Sequence, residues 1–246
     1  MFETRIKAYL KSHEITRLSL KGALFDMDGV LFDSMPYHAQ SWHKAMALNG
    51  FDLSEEEAYL HEGRTGAGTI NIVVKRQFGR AATKEECKAI YADKSRLFNE
   101  FPQAEAMPFA KELVEKICNK GLTAQIVTGS GQLSLLDRIE ENYPTLFDSA
   151  RMISAKDVIH GKPHPEPYLK GLAKGGYQPY EAIVIENAPL GVQAAHEAGI
   201  FTIAVNTGPM PNSALWEAGA DLVFSSMQEF AQEWELLYAN LNATEL

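Results

Sequence analysis

The sequence predicts an α/β protein in which a parallel sheet with crossover helices is interrupted by one inserted all-helical segment. Short apolar runs alternate with helical patterns from about residue 20 to residue 230, which is typical of a parallel sheet. Residues 36–105 carry only helical signals and are too many for a simple crossover. We therefore expect a Rossmann-like core over residues 19–35 and 106–246, a helical cap over 36–105 and an N-terminal extension over 1–18.

The predicted strands are continuous apolar runs, which indicates burial on both faces. Four of these runs end in a polar residue, namely Asp26, Thr128, Glu186 and Asn206. In parallel sheets, ligands bind beyond the carboxyl ends of the strands, so we expect the functional site there. The predicted strands are Ala23–Phe25, 123–127, Ala182–Ile185, Ile200–Val205 and Leu222–Phe224.

Helices are indicated by apolar periodicity and by end signals. Residues 110, 113, 114 and 117 share one apolar face, and Gly121 predicts the end of that helix. A second core helix is expected over 188–198, ending at Gly199. Within the cap, the segments 54–57 and 83–86 have the pattern of capping boxes, each of which predicts a helix start.

Composition excludes several classes of protein. The chain has 246 residues, 46% of them apolar, which excludes intrinsic disorder. A net charge of −9 without a basic stripe argues against a nucleic-acid partner, and no apolar stretch is long enough for a membrane span. Two cysteines and the lack of a secretory signal predict a cytoplasmic protein. A monomer is favoured, although the oligomeric state stays open.

The segment DMDG directly follows the first predicted strand. Asp26 and Asp28 are two residues apart, so their side chains lie on one side of an extended chain, and Gly29 allows a turn. Two carboxylates this close repel each other unless a cation lies between them. A lone pair of this kind is more often a solvated turn, but its position after a buried strand favours a site.

The segments that follow the later strands contain hydrogen-bond donors that can bind an anion and oxygen atoms that can bind a cation. The run of Thr128, Gly129 and Ser130 offers a hydroxyl and backbone N–H groups before a helix, which suits an anion. Lys162 lies among three prolines and can neutralise an aspartate and a phosphoryl oxygen. Glu186 and Asn187 offer oxygen ligands for Mg²⁺.

The order of these motifs along the chain resembles the haloacid dehalogenase superfamily of phosphotransferases, and the inserted cap resembles its β-phosphoglucomutase-like subgroup. The resemblance implies that Asp26 is the nucleophile, which forms an aspartyl-phosphate, and that Asp28 is the general acid and base. It also implies that Thr128 and Lys162 hold the phosphoryl group. The implied metal is Mg²⁺, with ligands from Asp26, the Asp28 carbonyl, Glu186 and Asn187.

One departure bears on the substrate. The family usually carries aspartate at the position of Asn187, so the site loses a negative charge. The cap loop 61–69 carries Glu62 where β-phosphoglucomutases have a basic residue, and a glutamate there can restore that charge at the metal. This combination resembles the Bacteroides-type inorganic pyrophosphatases of the superfamily, as do the stretches SMPYH and GKPHPEPYL. The expected substrate-binding residues are Gly129, Ser130, Glu62, Arg64, His38 and Gln132.

These residues predict a Mg²⁺-dependent phosphohydrolase that acts on inorganic pyrophosphate or another small phosphate compound. One alternative is a β-phosphoglucomutase that interconverts β-glucose 1-phosphate and glucose 6-phosphate with the same core residues. Another is a non-catalytic binding protein on the same fold, since fold does not guarantee activity. His160 and His164 are expected in a loop without a metal, and Cys87 is expected in the packed interior of the cap.

Overall fold

A computed structural model describes residues 2–131 and 138–246. The described part contains a five-stranded parallel sheet in the order β2-β1-β3-β4-β5. This confirms the predicted fold class, including a helical region between the first two strands. The strands are β1 (Gly22–Phe25), β2 (Thr123–Ile126), β3 (Ala182–Glu186), β4 (Phe201–Val205) and β5 (Leu222–Phe224).

Helices cover both faces of the sheet, as continuous apolar strands require. Ile183 and Ile185 pack into one apolar cluster and Val184 into a second one on the opposite face. The described helices outside the cap are α1 (Phe2–Ser12), α6 (Ala110–Asn119), α7 (Ile139–Asn142), α8 (Glu166–Gly175), α9 (Pro189–Glu197), α10 (Asn212–Glu217) and α11 (Met227–Ala243).

The cap consists of α2 (Met35–Leu48), α3 (Glu55–Leu60), α4 (Gly66–Phe78) and α5 (Lys84–Asn99). These helices bury their own apolar cluster, which includes Met46, Ile70, Val74 and Ile90 and is separate from the clusters under the sheet. The cap therefore has a hydrophobic core of its own, as a small domain needs.

The two predicted capping boxes differ in the structure. At Thr83 both reciprocal hydrogen bonds form. At Ser54 only the hydroxyl half forms, because the Glu57 carboxylate binds Arg76 and His61 instead of the helix start. An ion pair with a neighbouring helix thus replaces the second half of the box.

The two chain segments that join cap and core pair with each other. The Asp33 N–H donates to the Glu105 carbonyl at 3.0 Å, and the Met107 N–H donates to the Leu31 carbonyl at 2.8 Å. This pairing lies immediately after the DMDG segment. The cap is therefore attached next to the residues that we expect to carry the chemistry. No helix within the described ranges is long and apolar enough to cross a bilayer.

Candidate active site

The sheet register brings the predicted site residues to one edge. β1 lies between β2 and β3, and Phe25 is opposite both Ile126 and Ile185. The chain leaves β1 toward β2 on one side and later returns as β3 on the other, which opens a crevice at the carboxyl ends. Asp26, Thr128 and Glu186 therefore emerge side by side.

Lys162 joins two of the carboxylates in the floor of this crevice. Its buried Nζ donates to Asp26 Oδ1 and to Glu186 Oε1, both at 2.6 Å, and to the Val127 carbonyl at 3.1 Å. Burial lowers the pKa of Lys162, but the charges of Asp26 and Glu186 outweigh that effect and raise it above its ordinary value. Lys162 is therefore a fixed positive charge at the site.

Asp26 is buried directly after β1, and its carboxylate form is short of positive charge. Burial raises the pKa of its carboxyl to about 7, although Lys162 opposes the rise, and the neighbouring charges of Glu186 and Asp28 contribute to it. A further cation beside Asp26 would favour the ionised form.

Asp28 ends a buried chain of hydrogen bonds that reaches into the cap. Its Oδ1 accepts from the Ser34 hydroxyl at 2.6 Å and from His38 Nε2 at 3.0 Å, and Lys94 Nζ donates to His38 Nδ1 at 2.6 Å. Burial raises the pKa of Asp28, but His38, Ser34 and Lys94 together bring it below its ordinary value. Burial also lowers the pKa of His38, and it lowers that of Lys94 to about 7. Because Lys94 donates to Nδ1, His38 donates its Nε2–H to the Asp28 carboxylate.

The cap loop touches the core at the position of the unusual asparagine. Asn187 Nδ2 donates to Glu62 Oε1 at 2.7 Å, and both side chains are buried. Burial raises the pKa of Glu62 well above its ordinary value, with Asp26, Glu186 and Asp28 adding to the rise against the Asn187 hydrogen bond. The structure thus brings Glu62 into the group of core carboxylates.

Glycines allow this close approach of loop and core. A Cβ on Gly129 would lie 2.3 Å from the Gly63 carbonyl oxygen, and one on Gly63, whose φ is +84°, would lie 3.1 Å from Lys162 Cδ. Side chains at these positions would hold the two surfaces apart. The loop can reach the site because neither residue has one.

The residues present fit a divalent cation. Asn187 Oδ1 is buried and has no hydrogen-bond partner, which is costly unless another group binds it. In the described ranges, no cluster of three or more His, Cys, Asp or Glu side chains is arranged to hold a metal ion. The candidate donors are of another kind, because they combine carboxylates with the Asn187 amide and the Asp28 carbonyl. Oxygen donors of this kind suit Mg²⁺.

Glu186 is already engaged. Its Oε1 accepts from Lys162 and from the Tyr168 hydroxyl, and its Oε2 accepts from the N–H groups of Asn187 and Ala188 at 2.9 and 3.1 Å. In this arrangement Glu186 orients Lys162. Its role as a direct metal ligand stays a prediction.

The site residues line a cavity of about 50 Å³ that is partly open to solvent. Thr128 and Ser130 line it from the core, and the Ser130 N–H donates to Thr128 Oγ1 at 2.9 Å, so that N–H is already used. Half-buried Arg64 lines it from the cap, and its Nε has no hydrogen-bond partner. Gln132 lies outside the described residues. The predicted lining residues that the structure brings to the cavity also include His38, Glu62 and Gly129.

Sequence reasoning missed Lys94 and Tyr168. Lys94 follows Ile90 by four residues and precedes Phe98 by four, so it occupies an apolar position of a cap helix. A lysine at such a position is almost never buried without a partner, and that signal could have identified it. Tyr168 carries no comparable signal, because a tyrosine on the inner face of a helix is ordinary.

His160 and His164 lie in a loop, as predicted, with ring centroids 4.8 Å apart. Cys87 is half-buried and packs against the apolar cluster of the cap. Neither feature contributes to the cavity.

Comparison with known proteins identifies relatives of this chain. Residues 23–205 match the profile of a family described as haloacid dehalogenase-like hydrolases. Hexitol phosphatase A from Escherichia coli is 31% identical over 210 residues, which covers 85% of this chain and 92% of that protein. A phosphorylated carbohydrates phosphatase from Thermotoga maritima is 28% identical over 210 residues, which covers 82% of this chain and 92% of that protein.

A solved structure extends the likeness over nearly the whole chain. The protein from Bacteroides vulgatus, provisionally assigned as a beta-phosphoglucomutase, superimposes with a TM-score of 0.95 at 57% identity and covers 98% of both chains. A Clostridium difficile β-phosphoglucomutase has a TM-score of 0.71 at 21% identity, and the match covers 88% of this chain and 99% of that protein. The second comparison shows only a shared fold.

Proposed function

The chain belongs to the haloacid dehalogenase-like hydrolases, and on that premise we propose that it is a Mg²⁺-dependent phosphohydrolase acting on inorganic pyrophosphate or another small phosphate compound. The observation that carries the proposal is the 2.7 Å contact between Glu62 of the cap loop and Asn187 of the core. A carboxylate in this place adds a negative charge beside the core carboxylates, which suits a bound cation.

Asp26 is the proposed nucleophile. Because Lys162 holds Oδ1, the other carboxylate oxygen is available to attack phosphorus. The new O–P bond forms as the bond from phosphorus to the leaving group breaks, and the leaving group departs with the electron pair. Lys162 stays in place and offsets charge on the nucleophile throughout.

Asp28 is the proposed acid and base. Its low pKa suits the second half of the reaction, in which it takes a proton from the water that attacks the aspartyl-phosphate. Attack on phosphorus releases phosphate and restores the Asp26 carboxylate. The chain from Lys94 through His38 keeps the Asp28 carboxylate oriented and supplied with hydrogen-bond donors.

Asp26, the Asp28 carbonyl, Asn187 and Glu62 are the residues that would hold Mg²⁺. When bound, Mg²⁺ would neutralise the carboxylates and the phosphoryl oxygens. The orphaned oxygen of Asn187 would then gain a partner, and the high pKa values of Asp26 and Glu62 would return toward their ordinary range.

Two features favour a small substrate. Glu62 of the cap loop lies 2.7 Å from Asn187 and occupies space beside the core carboxylates that a sugar would need. Phosphate also leaves as a stable anion, whereas a sugar hydroxyl must be protonated as it leaves. Because the pKa of Asp28 is lowered, its carboxyl is ionised and has no proton to give to a sugar oxygen, which does not hinder the departure of phosphate.

A mutase is the second candidate, favoured by the likeness to the Bacteroides vulgatus structure with its provisional assignment. The same aspartates would transfer a phosphoryl group to and from a sugar bisphosphate. The two candidates differ at the cap, because a mutase must hold a sugar there and keep water out.

Glu62→Lys separates the two candidates. We expect the variant to lose pyrophosphate hydrolysis by about 10- to 100-fold, with a higher Mg²⁺ requirement, because the cap no longer adds a negative charge at the metal. Phosphate release at varied Mg²⁺ measures both effects. Glu56→Lys makes the same charge change at an exposed position of the cap and should leave the rate unchanged. If the protein is a mutase, Glu62→Lys should lose little of its mutase activity.

A further inference from the structure

The polar run that follows β4 has no role in the function proposed above. Its middle residue, Thr207, donates from its hydroxyl to the Gly29 carbonyl oxygen at 2.7 Å, across a sequence separation of 178 residues. Gly29 belongs to the DMDG segment. The end of β4 is thus connected directly to the segment that carries both aspartates.

The loop around Thr207 is fixed in place. The Asn206 N–H donates to the Phe224 carbonyl at 2.8 Å, which continues the ladder between β4 and β5. The Asn206 side chain donates to the Met210 carbonyl at 2.8 Å and to Asn212 Oδ1 at 2.6 Å. Thr207 is therefore a rigid donor and not a chance contact of a long loop.

Gly29 needs such a donor because its conformation is not fixed by a side chain. Its φ is +76°, which glycine adopts at little steric cost and with great freedom. Its N–H donates to the Phe32 carbonyl at 2.8 Å, and its carbonyl accepts from Thr207. Both polar groups of Gly29 are thus held, one from each side.

The position of Gly29 matters for the proposed metal donors. A Cβ on Gly29 would lie 2.0 Å from Asn187 Nδ2 and 3.2 Å from Glu62 Oε1, so the backbone lies against the Glu62–Asn187 contact. In a planar trans peptide, the Asp28 carbonyl points opposite to the Gly29 N–H. A backbone rotation at Gly29 would therefore move the Asp28 carbonyl. It would also change the space that is left for the Asn187 side chain.

We propose that Thr207 is a positioning residue of the metal site, which fixes the Asp28 carbonyl and the Asn187 amide through its hydrogen bond to Gly29. This inference rests on the proposed function, because it assumes that those two groups bind Mg²⁺. Thr207 itself contacts neither the metal nor the substrate in this account.

Calorimetric titration of the purified full chain with MgCl₂, without substrate, tests the inference. We expect Thr207→Val to bind Mg²⁺ about three- to tenfold more weakly, the range that the loss of one hydrogen bond supports. Thr207→Ser keeps the hydroxyl and should restore binding. In steady-state assays the Mg²⁺ concentration for half-maximal rate should rise for Thr207→Val, while the rate at saturating Mg²⁺ changes less.

Thr202→Val is the matched control. Thr202 lies on β4, the strand that precedes Thr207, and its hydroxyl also donates to a backbone carbonyl, that of Ile200, at 2.8 Å, but away from the site. This variant should bind Mg²⁺ like the wild type. Equal weakening in both variants, or wild-type affinity in Thr207→Val, would overturn the inference and leave the proposed function intact. A wild-type protein that binds no Mg²⁺ would contradict the proposed function itself.

Discussion

Asn187→Asp places a second carboxylate against Glu62 and tests how the cap loop is held. In the wild type, Asn187 Nδ2 lies 2.7 Å from Glu62 Oε1 as a donor. Two carboxylate oxygens at that separation repel by about 6 kcal/mol at an effective dielectric constant of about 20. Proton uptake limits the cost, because neutralising one carboxyl near pH 8 costs at most about 5 kcal/mol, and less for a group whose pKa is already raised.

We therefore expect metal-free Asn187→Asp to be less stable than the wild type by about 2–4 kcal/mol near pH 8, a fall in Tm of roughly 5–15 °C. The sign of the pH dependence follows from the raised pKa of Glu62. The folded state binds a proton that the unfolded state has released, so stability is lost as the pH rises above about 4.5. The stability difference between Asn187→Asp and the wild type should therefore shrink near pH 5. Saturating Mg²⁺ should reverse its sign.

Thermal and urea unfolding with EDTA or with MgCl₂ measure these differences. The double variant Glu62→Gln with Asn187→Asp is the control, because glutamine can donate to the new aspartate and the repulsion disappears. Equal stability of Asn187→Asp and wild type near pH 8 without metal would refute the claim that Glu62 is packed against residue 187.

Two further predictions concern the cap. Lys94→Met should stabilise the protein by about 2–4 kcal/mol at pH 7 and below, because the folded pKa of Lys94 is lowered to about 7 and the unfolded state binds its proton more readily. The gain should vanish toward about pH 10 in urea unfolding, and a gain independent of pH would contradict it. Gly129→Ala should lower kcat/KM by about 10- to 100-fold without unfolding the chain, because the new Cβ would lie 2.3 Å from the Gly63 oxygen. Gly208→Ala, which adds a Cβ in open space, should leave kcat/KM unchanged, and an equal loss in both variants would count against the close contact.

Much of the fold follows from local signals. Apolar runs located the strands of the sheet, and glycines such as Gly121, with φ of +83°, marked helix ends. These features depend on residues a few positions apart, so one sequence contains them. The inserted cap was predictable for the same reason, since its helices show their periodicity locally.

The contacts of the site were harder to predict because they join distant residues. Lys94 meets His38 over 56 positions and Thr207 meets Gly29 over 178, and no local pattern encodes either pair. The use of the Ser130 N–H by Thr128 Oγ1 was missed for another reason. A hydroxyl two residues away competes with a ligand for that donor. Sequence thus indicated which residues gather at the strand ends but not how their hydrogen bonds are shared.

The specificity of phosphate release tests the proposed pyrophosphatase activity. The purified protein would be assayed with MgCl₂ on pyrophosphate and on a panel of hexose and hexitol phosphates, with β-glucose 1-phosphate included and glucose 6-phosphate formation followed in parallel. We expect a kcat/KM for pyrophosphate well above that for every sugar phosphate, and no activity when EDTA removes the metal. A sugar phosphate turned over far faster than pyrophosphate, or net formation of glucose 6-phosphate, would contradict it.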